Sequence, residues 1–216
     1  MSNRFQTPLD PPPPIGRLHV RSGRRELITD GQTLSIDNQI FQLSTIDRIA
    51  FRAASRINEA SYMIGVSQGK VKRRFTFNAY RRGTEMESRL QEWTQLASIL
   101  DFTAGPHITH NILEKILDGQ DVTFGSPPAT RIDADAEGLR LRRPFMKKVP
   151  WDQIVDADMH RGAVRVHISR GNSQREIKPV MSIDMHGWNA VTLPRVVALL
   201  HGRSYSPFKF DSSPMI

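Results

Sequence analysis

Twice along this chain, a series of short runs with period-two alternation gives way to a stretch with helical spacing. A chain patterned this way must fold each series into antiparallel sheet and lay a helix against it. From residue 17 the runs read RLHVR, RELIT, QTLSID, IFQLS, IDRIAFRA, EASYMIGVS and KVKRRFTFNA. SGR, DG, NQ and the Gln68–Gly69 pair separate several of them, which is hairpin punctuation. In the last run Val71, Phe75 and Phe77 share one face, and Lys70, Lys72 and Arg74 take the other. The period then changes: in TEMESRLQEWTQLASIL, residues Met86, Leu90, Trp93, Leu96, Ala97 and Leu100 recur at helical spacing, and Thr84 and Glu87 are spaced as a capping box.

HITHNILEKILDG, from residue 107, predicts a shorter helix closed by Gly119. The first order then returns as DVTFG, ATRID, GLRLRR, FMKKV, DQIVDADM, AVRVHIS and SQREIKPV, with a helix from about Gly187 to Leu200. The two series align without a gap from Leu34 to Ile49 at an offset of 105, pairing Leu34 with Leu139, Ile36 with Leu141, Ile40 with Phe145, Ile46 with Trp151, Asp47 with Asp152 and Ile49 with Ile154. By the helices the offset is 100, matching Leu96 to Val196 and Leu100 to Leu200, because the second copy has a shorter hairpin after its fifth strand. The pattern predicts one fold carried twice, each copy with its own core. The expected division is a proline-rich tail at 1–16, a first unit at 17–101, a helical bridge at 102–120, a second unit at 121–203 and a tail at 204–216.

Composition bounds what such units can do. With no cysteine there is neither a disulfide framework nor a thiolate metal site, and a reducing compartment is the natural expectation. The first residues lack the apolar stretch of a secretory signal, and VVALL at 196–200 is far too short to span a bilayer, so a cytoplasmic protein is expected. Thirty Lys and Arg against 22 Asp and Glu give a formal charge of +8. That surplus suits an anionic partner and also serves solubility.

Seven short strands followed by one amphipathic helix resembles the order of pleckstrin-homology-like domains, and the second copy is the more similar to bacterial members. The residues carrying the likeness are GQDVTFG at 119–125, GLRLRR at 138–143, VPWDQI at 149–154 and MHGWNAVTLPRVVALL at 185–200. It covers about 17–101 and 121–203. The resemblance implies a mainly β fold with capping helices: two successive β-rolls or barrels, each of nearly orthogonal sheets with one open end plugged by a helix. Trp93, Trp151 and Trp188 would do core work.

The resemblance also implies that ligands meet the loops joining strands one and two, three and four, and six and seven. In the first copy these are Arg21 to Arg25, Asp37 to Gln39, and Ser67 to Lys70. Arg21, Arg24, Arg25, Lys70 and Lys72 would then edge one anion-binding site, since guanidinium and ammonium groups supply many donors to phosphate or carboxylate. The chain lacks the full lysine, spacer and basic-pair run of the family's lipid binders, and the bland reading of these cations is a solvated strand face. KVKRRFTF mixes cations and rings, but its phenylalanines face away from Lys72 and Arg74, which counts against base stacking.

Catalysis is not expected. His107 and His110 have no third ligand at suitable spacing, and there is no glycine-rich phosphate loop or nucleophile elbow. Asp133, Asp135 and Glu137 read as turn chemistry. The function expected is a non-catalytic adaptor without cofactor, recognising a protein or peptide, with an anionic phospholipid surface as a second partner. Peripheral binding to anionic lipid or nucleic acid through the first unit is the alternative.

Overall fold

The computed structural model describes residues 17–127, 129–169 and 177–205. The proline-rich segment, Pro128, the start of the last expected strand and the C-terminal tail from 206 lie outside them. The first half contains β1 (Leu18–Ser22), β2 (Arg25–Thr29), β3 (Thr33–Ile36), β4 (Gln39–Gln42), β5 (Arg48–Ser55), β6 (Glu59–Gln68) and β7 (Val71–Tyr80), then α1 (Glu85–Thr103) and α2 (Gly105–Leu117). The second half contains β8 (Val122–Phe124), β9 (Ile132–Ala134), β10 (Gly138–Leu141), β11 (Val149–Pro150), β12 (Ile154–His160), β13 (Ala163–Ser169) and β14 (Ile177–Asp184), then α3 (Leu193–Leu200). Among the described residues the strands form four antiparallel meanders: β1 to β4, β5 to β7, β8 to β11 and β12 to β14. The expected mainly β fold with helices is present at this level, but the sheets remain four separate meanders rather than two closed barrels.

Turn chemistry sets the registers. Asp37 and Asn38 both adopt left-handed backbone (φ 49° and 68°), which matches strand twist in a two-residue hairpin and pairs Ile36 with Gln39. Arg161 and Gly162 (φ 49° and 77°) do the same between His160 and Ala163. Gly119 (φ 74°) ends α2, its N–H donating to Ile116 O and the Gln120 N–H to Lys115 O, a Schellman closure. Thr84 is the residue before α1, but its hydroxyl makes no capping bond.

The apolar faces pack as their periods require. Ile64 pairs with Phe75 and Tyr62 with Phe77 across β6 and β7, all buried. Trp93 reaches them from α1, its indole N–H donating to Met63 O at 3.2 Å. Each such large side chain taken from water contributes about 1.5–3 kcal/mol. Two separate cores were expected, yet the buried residues of both halves belong to one contiguous cluster that includes Ile108, Ile112, Leu113 and Ile116 of α2, a helix that packs against both α1 and α3.

Two differences between the copies correct the sequence reading. The strand expected at FMKKV shrinks to Val149–Pro150, and Leu139 pairs with Val149, whereas Leu34 pairs with Phe41. The gapless offset would have placed Met146 opposite Leu139, so the pairing is displaced by three residues and the equivalents of β4, residues 144–147, lie in the second copy's loop. The last helix starts at Leu193 instead of Gly187, because Asn189 is left-handed (φ 57°) and a short 3-10 turn, Ala190–Thr192, intervenes.

Candidate interaction surfaces

Arg25 organises the hairpin ends of the first half. Its Nε donates to Asp37 Oδ2 at 2.8 Å and its Nη2 to Arg74 O at 2.8 Å, with the guanidinium 5.6 Å from the Phe75 ring centre. These bonds bring the β1–β2 and β3–β4 turns together and tie them to β7. The Arg25 hydrogen bond holds the Asp37 carboxyl below its usual range. Arg25 is thus already committed within the chain. Arg21 lies on the outer face of β1, where its Nε donates to His19, which meets Glu26 at 3.2 Å. Arg24, Lys70 and Lys72 are exposed and form no ion pair among the described residues. The turn bearing Lys70 is anchored by Gly69 N–H to Asp47 Oδ2 at 2.9 Å.

Other singled-out residues have structural partners. His107 meets Ile46 O at 2.5 Å, and His110 faces Glu114 one turn along α2. No cluster of metal-ligating side chains occurs among the described residues. Asp135 Oδ1 accepts the N–H groups of Glu137 and Gly138, closing the acidic turn. Burial raises its pKa, but the bonds from Lys148 and these amides outweigh that and leave it lowered. Asp133 is buried and accepts from Thr123 and Arg142, each at 2.8 Å. Phe75 and Phe77 are buried, so neither ring presents a stacking face. Trp151 is half-buried, donating to Asp135 O at 2.8 Å.

Trp188 is placed otherwise than expected, at a junction between the halves. Arg74 lies 5.1 Å from its ring centre, and a Cβ on Gly65 would sit 3.4 Å from its Cη2. The bare backbone of Gly65 lets the indole approach the outer face of β6. The neighbouring chain covers the free edge of β5: Phe51 N–H donates to Met185 O at 3.1 Å, Asn189 N–H to Ile49 O at 2.8 Å, and Ile49 N–H to Asn189 Oδ1 at 3.1 Å. Asn suits this position because it tolerates left-handed backbone and its amide copies a strand partner. Asn189→Ala is expected to cost about 1–3 kcal/mol by stranding the Ile49 donor. Denaturant unfolding would measure the loss, with faster amide exchange at Ile49 and Phe51.

A second junction was not anticipated. Arg195 of α3 and Asp101 of α1, 4% and 3% exposed, form a buried ion pair at 3.0 Å. The same Nη2 also donates to Asp101 O at 3.0 Å, and the guanidinium lies 4.5 Å from the Tyr205 ring centre, where burial pushes the phenol pKa up. Spacing carried a signal: Asp101 follows Trp93 and Ala97 at four-residue steps, and Arg195 lies midway between Val191 and Leu199. A charge set on an apolar stripe asks for a buried partner.

The chain matches no protein-family model and no curated protein. Among the described residues no helix is long and apolar enough to cross a membrane.

Proposed function

We propose that the protein is a cytoplasmic, non-catalytic adaptor of tandem pleckstrin-homology-like units that takes up a protein or peptide strand at a sheet edge. The observation carrying this reading is the unequal treatment of two corresponding edges. In the first half, the edge of β5 is filled by backbone and amide groups at 185–189. In the second half, β12 occupies the same place in the order, and apart from the Ile154 N–H, which donates to Trp151 O in the turn just before it, no backbone bond from outside its own sheet reaches Ile154–His160 among the described residues. Arg203 Nη1 reaches Val155 O at 2.6 Å, and Ala157 N–H turns to the Asp156 carboxylate at 2.8 Å. Side chains of this kind are displaced more readily than a paired strand, and a strand added there gains main-chain bonds without needing signature residues.

Selection of peptides against the full chain, followed by hydrogen exchange, tests the reading. Binders should protect amides of 154–160 and survive high salt; protection elsewhere, or no binders, would refute it. The second reading, peripheral binding to anionic lipid or nucleic acid, is favoured by the uncommitted Arg24, Lys70 and Lys72. Charge reversal at these three should remove the first half's share of any binding to anionic surfaces, the share being one that is lost as salt rises.

A further inference from the structure

We propose that the loop joining β10 to β11, Arg142 to Lys148, is a membrane-contact site whose tip enters an anionic lipid bilayer. Phe145 is fully exposed (103%) and Met146 is 39% exposed. Pro144 and Phe145 fill the middle of a turn closed by Met146 N–H to Arg143 O at 3.4 Å, and Phe145 has φ 62°. Turns with Pro second and a left-handed third residue ordinarily place Gly or Asn at that third position. A phenylalanine there strains the backbone and gains nothing by burial, so folding does not account for it. The first copy has no such tip, because Asp37 and Asn38 close its corresponding hairpin in two residues.

The loop's charges select the occupant. From Asp133 to Lys148 five bases accompany three acids. The acids are engaged at the loop's shoulders, Asp133 by Arg142, and Asp135 and Glu137 by Lys148 at 2.6 Å each. Arg143 and Lys147, immediately flanking the apolar tip, are exposed and form no ion pair among the described residues. Arg143 Nη2 donates to the neutral Thr130 hydroxyl at 3.1 Å, which leaves its charge uncompensated, and an apolar point flanked by two such cations matches a surface with phosphate outside and hydrocarbon beneath. One protruding ring with a thioether offers no flat platform for successive bases, which disfavours nucleic acid.

This inference does not rest on the strand-addition reading. The test is co-sedimentation of the full chain with vesicles of phosphatidylcholine alone and of phosphatidylcholine mixed with phosphatidylserine. The mixed vesicles should bind it and the neutral ones far less, with binding weakened by salt. Phe145→Ala should lower the partition coefficient by about tenfold or more. Arg143→Glu with Lys147→Glu should lower it by about tenfold or more at low salt. Phe145→Gly removes the ring and eases the turn, so it should lose vesicle binding while melting no lower than wild type. Phe145→Trp should shift its emission to the blue on mixed vesicles. The proposal is overturned if the wild type ignores mixed vesicles, if Phe145→Ala binds as wild type does, or if Phe145 instead governs self-association or nucleic-acid binding. Peptide binding retained by Phe145→Ala separates this site from the one on β12.

Discussion

Arg195→Ala is expected to lower the stability of the whole protein by about 3–5 kcal/mol, because it leaves the Asp101 carboxylate buried without its counter-ion. Both side chains are at most 5% exposed, so solvent offers little screening. The pair joins the helix that ends the first copy to the helix that ends the second, and the first residue of α2 leaves room for it. A Cβ at Gly105 would lie 2.9 Å from Arg195 Nη1 and 3.0 Å from Asp101 Oδ1. Equilibrium unfolding in urea measures the loss. Replacing both partners together by Met and Leu should recover most of it, since two well-packed apolar side chains can stand in for a buried ion pair. An Arg195→Ala protein within about 1 kcal/mol of wild type would show that the pair is not truly desolvated.

Trp93→Ala should cost about 3–5 kcal/mol, the usual loss for removing a large aromatic side chain from a core. The ring is 0% exposed and lies 5.8 Å from that of Tyr62, so nothing nearby can fill its place without moving β6. The chain has three tryptophans, and the two that remain in this variant, Trp151 and Trp188, both lie in the second half. Their fluorescence therefore reports on the copy that was not altered. With one continuous interior, it should change at the same reduced midpoint as the far-ultraviolet signal of the whole chain. A second half that melts at its wild-type midpoint would mean that the cluster does not act as one cooperative unit.

Strand and helix positions were legible in the sequence because they depend on local alternation. RELIT, EASYMIGVS and KVKRRFTFNA correspond to β2, β6 and β7 to within one or two residues. Gly119 stood at the close of α2 for the same reason: a left-handed residue there is a local requirement. The relation between the copies was much less legible. Phe51 N–H to Met185 O and Arg195 to Asp101 join residues about a hundred positions or more apart, and no local period records such a pairing. FMKKV has a strand-like composition, yet the turn at Pro144 and Phe145 overrides it, as backbone geometry overrides propensity elsewhere. Of the cations expected to edge one site, Arg25 was the least predictable, because whether a guanidinium is available depends on what faces it. Here Asp37 and Arg74 O do.

The covered rim of β5 has a consequence for any attempt to separate the copies. A fragment ending in α2 would keep Ile49 and Phe51 but lose Met185 and Asn189, exposing a row of amides and carbonyls beside apolar side chains. Such a rim templates its own kind, and the fragment should multimerise through it. The later half thus acts as a built-in chaperone for the earlier one, a one-way protection against precipitation.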